Sequence, residues 1–275
     1  MKKTGNGVVL FVIIIMMALG GQVFAADKKQ SGSPVLNRIM AKKELIIGTA
    51  ASMPPLNMTT KDNQIIGLEM DLARLFAAAM EVKLTIKPMH FNELLPALQA
   101  GKVDMVLSGM TMTPGRNLKV AFVGPYFASG KSLLAKMANV ESINQIEKIN
   151  NPSKVLVALR GSTSQLFVEN MIPKAKLVLT DDYAQAVAMV RNDQAVAMVA
   201  DYPICVISVH RYPDAQLGTL DKPFSYEPVG IALPPNDPLL INWVQNFLNT
   251  IEKVGELQRL SERWFKDTAW ITLLP

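Results

Sequence analysis

Residues 104–116 read Asp-Met-Val-Leu-Ser-Gly-Met-Thr-Met-Thr-Pro-Gly-Arg, and this stretch decides the fold class. Its first half is a short apolar run typical of a buried strand, which we expect to end at Ser108. Its second half is a polar turn in which Thr113 is placed to cap a helix and Pro114 takes the first helical position. A buried strand that leads through a polar turn into a helix is typical of an α/β sheet.

The same alternation of strand and helix patterns extends in both directions from this stretch. Upstream, apolar spacing predicts two strands and two helices, at 45–47 and 82–86 and at 70–76 and 94–98, respectively. Downstream the alternation begins again, with strands predicted at 155–158, 176–179 and 195–199 and helices at 165–170 and 182–191. Thr180 is placed to cap the second of these helices, and residues 239–264 are helical in pattern.

Two α/β units in one chain predict two lobes. We expect the chain to cross between them twice, near 137–152 and near 223–228, which would create a hinge and a cleft. The predicted division is listed by residue range: a signal peptide at 1–25, a polar N-terminal leader at 26–40, a first lobe at 41–136 and 226–275, and a second lobe at 137–225.

The N-terminus has the pattern of an export signal. Lys2 and Lys3 precede an apolar run from Val8 to Leu19, and small residues suited to cleavage near Ala25 follow. Crossing a bilayer takes about 20 apolar helical residues, which favours a cleaved signal peptide over the alternative, a retained membrane anchor. We therefore predict secretion through the Sec route into the periplasm.

Composition excludes several classes of function. Hydrophobic residues make up 49% of the chain and charged residues 19%, which allows ordinary globular cores. The formal net charge is +5, but no dense run of Lys or Arg follows Lys43, which argues against nucleic acid as a partner. One cysteine (Cys205, expected to be a buried inert thiol) and two histidines argue against a metal site, and neither histidine lies in a catalytic Ser/Asp pattern. We expect no cofactor and no catalytic residue.

Polar groups collect where predicted strands end, which is where ligands bind in open α/β sheets. In the first lobe, the hydroxyls of Ser108 and Thr111, the amides around Gly109 and the guanidinium of Arg116 suit a carboxylate. The alternative is a routine capping turn with a surface arginine.

The second lobe carries a matching set. Ser162 and Thr163 open a helix whose N-terminus favours anions. Asp201 ends a predicted strand, where its carboxylate would receive an ammonium or, alternatively, cap the next helix. A cation in one lobe and an anion in the other match the two ends of a free amino acid.

Taken in order, these motifs resemble the amino-acid solute-binding proteins of ABC importers, the bacterial extracellular family 3 of polar amino acid type. The motifs that carry the resemblance are Gly48-Thr49, Pro54-Pro55, Gly67-Leu68-Glu69-Met70-Asp71, Gly101-Lys102-Val103-Asp104, Thr111-Met112-Thr113-Pro114-Gly115-Arg116, Gly161-Ser162-Thr163, Ala200-Asp201 and Trp264-Phe265. The resemblance implies the fold of type II periplasmic binding proteins, with two α/β lobes joined by a two-stranded hinge. It also implies a monomer that binds a free amino acid and serves an ABC permease in the inner membrane.

The resemblance further implies roles for single residues. Arg116 would bind the α-carboxylate with Thr111 and Thr163, and Ser108 and Asp201 would receive the α-ammonium. The residues that would line the ligand beside them are Phe91, Met53, Ser162 and Gly109.

Two departures from the family pattern bear on the ligand. Met53 stands where the family often has an aromatic residue, which removes a stacking partner. Ala50 and Ala51 stand where members that prefer cationic side chains tend to carry an acid. We therefore expect a ligand that is not strongly cationic, and His90 is expected at the rim of the site.

Three alternatives stay open. The fold is shared by exported cyclohexadienyl dehydratases, for which Glu69, Glu93 or Asp201 would be the general acid. The same module serves as a sensor domain fused to signalling parts, but this sequence ends at Pro275 with no transmembrane helix or kinase-like extension, which weighs against that role. The ligand could also be a carboxylate without an amine, which would leave Asp201 without an ammonium partner.

Overall fold

The structure, a computed structural model, describes residues 32–143 and 145–275, so the predicted signal peptide lies outside the described residues. In the described part, the strands form two five-stranded sheets and one three-stranded sheet. Helices pack on both large sheets, and the predicted α/β class with two lobes is confirmed. None of the helices in these residues is long and apolar enough to cross a membrane.

Lobe 1 is built from both ends of the chain, and its elements are numbered in chain order. Its strands are β1 (Glu44–Thr49), β2 (Ser52–Met53), β3 (Asn57–Thr59), β4 (Ile65–Ile66), β5 (Lys83–Pro88), β6 (Met105–Val106), β7 (Ala121–Ser129) and β13 (Glu227–Leu233). Its helices are α1 (Pro34–Lys42), α2 (Leu68–Ala79), α3 (Leu94–Gln99), α4 (Pro114–Asn117), α10 (Pro238–Lys253) and α11 (Glu256–Phe265), with 3₁₀ turns at Phe91–Glu93 and Ala269–Leu273.

The large sheet of lobe 1 has the strand order β5-β1-β6-β13-β7. Strand β1 is parallel to β5 and β6, whereas β13 is antiparallel to β6 and β7. The carboxyl ends of β1 and β6 therefore lie at the same edge, and the chain leaves β6 there through the turn that leads to Arg116. The small antiparallel sheet β2-β3-β4 lies beyond the end of β1.

Lobe 2 is the middle of the chain. Its strands are β8 (Lys131–Lys136), β9 (Val155–Leu159), β10 (Lys176–Thr180), β11 (Ala197–Asp201) and β12 (Leu217–Thr219). Its helices are α5 (Met137–Ile143), α6 (Ile146–Ile149), α7 (Thr163–Met171), α8 (Tyr183–Arg191) and α9 (Tyr202–Arg211), with a 3₁₀ turn at Pro213–Ala215. The sheet order is β10-β9-β11-β8-β12, in which β9 is parallel to β10 and β11 and β8 is antiparallel to β11 and β12.

The first crossing between the lobes lies at Gly130, between β7 and β8. This is earlier than the predicted crossing at 137–152, because residues 131–136 pair with β11 and β12 and so belong to the second sheet. The predicted first-lobe segment, 41–136, is therefore too long by one strand. The second crossing runs from 220 to 226, between β12 and β13. The two crossings touch, since a Cβ on Gly130 would lie 2.0 Å from the carbonyl oxygen of Ser225.

Two further expectations differ from the structure. The predicted leader at 26–40 overlaps α1, which begins at Pro34 because the first amides of the helix donate to Asp237, Val35 N at 2.7 Å and Leu36 N at 2.9 Å. Helix α8 is capped by Asp182, not by Thr180, since its Oδ1 accepts from the Gln185 amide at 2.8 Å.

Candidate functional site

The turn after β6 brings Arg116 back over the edge of the lobe 1 sheet. Thr113 caps α4, as its sequence position predicts, by accepting a hydrogen bond from the Arg116 amide at 3.2 Å. Because α4 is only a short turn of helix, the guanidinium reaches back and its Nη1 donates to the Thr111 carbonyl at 2.8 Å. The local fold thus presents a fixed cation at the lobe boundary.

Arg116 also contacts lobe 2. Its Nη2 donates to the carbonyl of Gly161 at 3.1 Å, and the hydroxyls of Thr111 and Thr163 lie 3.3 Å apart across the same boundary. Gly161 has a positive φ of 74°, and a Cβ there would lie 2.9 Å from the Cβ of Asn92 in lobe 1. The two lobes are therefore closed on each other at this point, and Arg116 is one of the bridges.

The surroundings of Arg116 are apolar on one side and charged on the other. Its guanidinium lies 5.6 Å from the ring centroid of Phe91, a cation–π contact. Burial lowers the pKa of Arg116 from its usual value, and the negative charges of Asp201 and Glu227 oppose that change. The predicted cation and the predicted anion therefore act on each other across the lobe boundary.

Asp201 is the last residue of β11 and is already paired. The Nζ of Lys131 lies 2.5 Å from Asp201 Oδ1 and 3.5 Å from Glu227 Oε2. Lys131 is 1% exposed, so this is a buried cluster. Asp201 stands at the N-cap of α9, but its side chain makes no capping hydrogen bond. The carboxylate is thus free of the capping role that was its alternative.

Lys131 and Glu227 lie outside the predicted site. Lys131 and Asp201 are separated by 70 residues and meet because they are partners in the antiparallel register of β8 and β11. Glu227 begins β13 in lobe 1, and the Ser225 hydroxyl donates to its Oε1 at 3.1 Å. The cluster therefore joins both hinge crossings, and no local sequence pattern reports such a pairing.

The serines predicted to contact the ligand have partners within the protein. Ser108 Oγ accepts the Ala50 amide at 2.8 Å, which ties the ends of β1 and β6 together. Ser162 Oγ donates to the Leu159 carbonyl at 2.6 Å and accepts the Gln165 amide at 3.2 Å, so its hydroxyl is engaged in the turn and helix cap. Ser108 keeps a hydroxyl proton to donate, whereas Ser162 does not.

Met53 packs directly on Gly109. Gly109 has a positive φ of 58°, and a Cβ there would lie 2.1 Å from the Met53 Sδ. Met53 and Asp201 line a shared cavity of only about 10 Å³. An amino acid can therefore reach Asp201 only when Met53 moves or the lobes separate.

The buried side chain of Glu69 holds the Ser108–Gly109 turn in place. Glu69 accepts hydrogen bonds from the Gly109 amide at 2.7 Å, from Asn57 Nδ2 at 2.6 Å and from the Tyr126 hydroxyl. Burial raises the pKa of Glu69, and these three donors oppose the rise. Glu69 thus fixes the Ser108–Gly109 turn, a role that its position in the sequence does not reveal.

A larger cavity, of about 610 Å³, opens beside this site between the lobes. Its walls include Ala50, Ser52, His90 and Tyr183. The predicted site contains none of the lobe 2 residues of this wall. Within residues 32–143 and 145–275, no group of three or more His, Cys, Asp or Glu is arranged to hold a metal ion.

Comparison with known proteins gives matches along nearly all of the described chain. The family model of the bacterial extracellular solute-binding proteins, family 3, matches residues 45–267. An ABC transporter arginine-binding protein of Escherichia coli K12 is 27% identical over 230 residues, covering 82% of this chain and 92% of the relative. An ABC transporter glutamine-binding protein of Bacillus subtilis is 27% identical over 263 residues, covering 94% of each chain. The crystal structure of an ancestral amino-acid-binding protein, a precursor of cyclohexadienyl dehydratase, superposes with a TM-score of 0.77 at 35% identity, covering 84% of this chain and 98% of that one.

Proposed function

Since the chain belongs to the bacterial extracellular solute-binding proteins of family 3, we propose that it captures a free amino acid between its lobes and delivers it to the permease of an ABC importer. The two relatives are binding proteins of ABC transporters, which supports this role. The protein is exported by its N-terminal signal and acts as a monomer in the periplasm.

One observation carries the proposal. Arg116 on lobe 1 and Asp201 on lobe 2 hold opposite charges at the same closed boundary, where the Asp201 charge opposes the lowering of the Arg116 pKa by burial. An amino acid has the complementary charges on neighbouring atoms. Ligand contacts to both lobes favour closure, because only contacts that differ between two forms can shift their populations.

The ligand carboxylate replaces carbonyl partners of Arg116. Two of the guanidinium N–H groups donate to the Thr111 and Gly161 carbonyls, and a carboxylate can take both donors in a bidentate pair while also supplying the opposite charge. The hydroxyls of Thr111 and Thr163 lie beside it as further donors. Phe91 supports the guanidinium from its apolar face.

The ammonium binds at Asp201 beside Lys131. Oδ1 of Asp201 is bound by Lys131, and Oδ2 accepts no hydrogen bond from any other described residue. Ser108 donates its hydroxyl to the ligand. Gly109 leaves room for the ligand because it has no side chain at the point where Met53 packs. Met53 then packs against the ligand after it has moved off Gly109.

Charge balance favours a ligand with an uncharged side chain. Arg116 and Lys131 are matched by Asp201 and Glu227, so the cluster is neutral and a zwitterion keeps it so. A cationic side chain would add one positive charge to this cluster, and Ala50 and Ala51 supply no acid beside it. Burying an unpaired charge is strongly unfavourable.

The acids considered for a dehydratase are all engaged. Glu69 is buried and accepts three hydrogen bonds, and Asp201 is held by Lys131. Glu93 accepts the His90 amide at 3.2 Å at an exposed position. A general acid must bring a proton to the substrate, and each of these carboxyl groups already accepts a hydrogen bond from the protein, which favours binding over catalysis.

Calorimetric titration with a panel of amino acids and their α-carboxamide analogues tests the proposal. The wild type should prefer the carboxylate form, and Arg116→Ala should lower affinity for it by at least about 30-fold, since truncating a buried charge partner costs about 2–5 kcal/mol. The matched control is Arg259→Ala, because Arg259 is an exposed arginine of α11 that pairs with Glu256 on the same helix. Equal affinity of the Arg116 variant for both forms, with wild-type strength, would remove Arg116 from the site.

A further inference from the structure

Tyr183 is a buried polar side chain that none of the contacts above explains. It is the first residue of α8 and is 4% exposed. It is one of the residues that line the cavity of about 610 Å³ between the lobes. Among the described residues, its hydroxyl has no hydrogen-bond partner. Buried hydroxyls are normally hydrogen-bonded, so an unpartnered hydroxyl on a buried residue that lines a cavity is a candidate contact for a ligand.

The cavity begins where the proposed amino acid site ends. Ala50 and Ser52 of lobe 1 form one wall, and the Ala50 amide is the group that binds Ser108 in the proposed site. Tyr183 on the opposite wall lies within the electrostatic reach of both Arg116 and Asp201. We expect a ligand held by those two charges to extend its side chain toward this cavity, past Ala50.

The acidic side chains that line the cavity already accept hydrogen bonds within the protein. Asp181 accepts from Arg160 Nε at 2.9 Å, and Asp182 accepts the Gln185 amide at 2.8 Å as a helix cap. Glu93, at the rim, accepts the His90 amide. Tyr183 differs from these acids because its hydroxyl is both a donor and an acceptor and is unpaired.

We propose that the Tyr183 hydroxyl reads the end of the ligand side chain and selects amino acids whose side chain ends in an uncharged hydrogen-bonding group such as an amide. This inference rests on the proposed function, because it takes Arg116 and Asp201 as the anchor of the ligand backbone. It assigns Tyr183 as a specificity-determining residue, and the cavity as the side-chain compartment.

The test uses pairs of ligands that differ only in hydrogen bonding. Asparagine and leucine have nearly the same shape, as do glutamine and homoleucine. Isothermal titration of the mature wild-type protein should show at least about tenfold tighter binding of the better amide than of its apolar partner, because a site built to hydrogen-bond a group rejects the analogue that lacks it. This comparison needs no variant, so it does not depend on how a substitution folds.

Tyr183→Phe should then reduce amide binding by about tenfold or more and leave the apolar partner within about twofold, which removes the preference. Tyr212→Phe is the matched control, since Tyr212 lines the same cavity but packs its ring under Arg191 and Arg211. It should leave the preference unchanged.

The outcomes separate this inference from the proposed function. Amide binding that is unchanged in Tyr183→Phe, equal losses for both partners, or tighter binding of lysine or arginine than of any neutral amino acid would overturn the role of Tyr183. In each of these cases an amino acid still binds, so the proposed function stands. Absence of binding by every amino acid in the wild type would overturn the proposed function itself.

Discussion

Replacing Lys131 with methionine removes a buried ammonium and keeps the length of the side chain. Lys131 is 1% exposed, and its Nζ lies 2.5 Å from Asp201 Oδ1 and 3.5 Å from Glu227 Oε2. At an effective dielectric constant of about 20, the two attractions amount to about 7 and about 5 kcal/mol before desolvation. Most of this gross attraction is offset by the cost of taking three charges out of water.

The variant leaves the carboxylates of Asp201 and Glu227 buried without their cation, and this determines the expected loss of stability. Breaking a buried pair by removing one partner costs about 3–5 kcal/mol. Protonation sets a similar ceiling, since a carboxyl group in water titrates about 3 pH units below neutrality and each unit corresponds to about 1.36 kcal/mol, or about 4 kcal/mol. Both routes predict that Lys131→Met lowers the free energy of unfolding by about 3–5 kcal/mol at pH 7.

The pH dependence distinguishes this mechanism from simple loss of packing. If the folded variant takes up one proton that its unfolded form does not, its deficit should shrink by about 1.4 kcal/mol for each pH unit below 7. Urea unfolding followed by tryptophan fluorescence at pH 5, 6 and 7 measures this directly. The reasoning fails if the variant lies within about 1 kcal/mol of the wild type at pH 7, or if its deficit is the same at all three values.

Lys136→Met is the control for removing a lysine from the same strand. The Lys136 ammonium donates to the Ala215 carbonyl at 3.2 Å, a single hydrogen bond to a neutral group. Such a bond contributes about 0.5–1.5 kcal/mol, so this variant should lose no more than that and show no comparable pH dependence.

Two further predictions concern buried groups away from the charge cluster. Burial raises the pKa of the Cys205 thiol to about 12, and the thiolate is the reactive form. A thiol reagent at pH 8 should therefore label the native protein roughly 1,000-fold more slowly than the urea-unfolded protein. Labelling of both forms at one rate would show that Cys205 is accessible. Burial also raises the pKa of Glu69 above its unfolded value of 4.5, so the stability linked to its proton is fully present below that value and is lost as pH rises through the folded pKa. As pH rises through that window, the free energy of unfolding of Glu69→Gln should therefore increase relative to that of the wild type by up to about 1.4 kcal/mol per pH unit. A relative free energy of unfolding that falls with rising pH would contradict a raised pKa for Glu69.

The elements of the fold were predictable where the signal is local. Apolar spacing predicts α2 and α7, and a polar turn followed by proline predicts the start of α4 at Pro114. The first crossing was misplaced because β8 is an apolar strand that suits either sheet equally well. Only its antiparallel pairing with β11 and β12 assigns it to lobe 2, and that pairing is set by residues far away in the sequence.

In the candidate site, too, the residues with a local sequence signal were predictable and those without one were not. Arg116 lies three residues after its capping threonine, so local chemistry alone places its guanidinium near the end of β6. Lys131 and Tyr183 carry no such signal: the first is a lysine that begins an apolar strand, and the second is an ordinary N-terminal residue of a helix. Both acquire their roles only when two lobes close and a second sheet forms.

Local sequence predicted only some of the partners of Asp201. A carboxylate at the end of a buried strand has to be compensated, and a ligand ammonium and a helix cap were the partners visible from the sequence. The structure adds a third partner, Lys131, which binds one oxygen and leaves the other free at the lobe boundary. Because Lys131 also reaches Glu227 on the other crossing, the carboxylate stays paired within the hinge, and an arriving ammonium joins a network that is already neutral. Because the network is neutral before the ligand arrives, we expect a ligand with an uncharged side chain. No single residue of the cluster predicts this preference by itself.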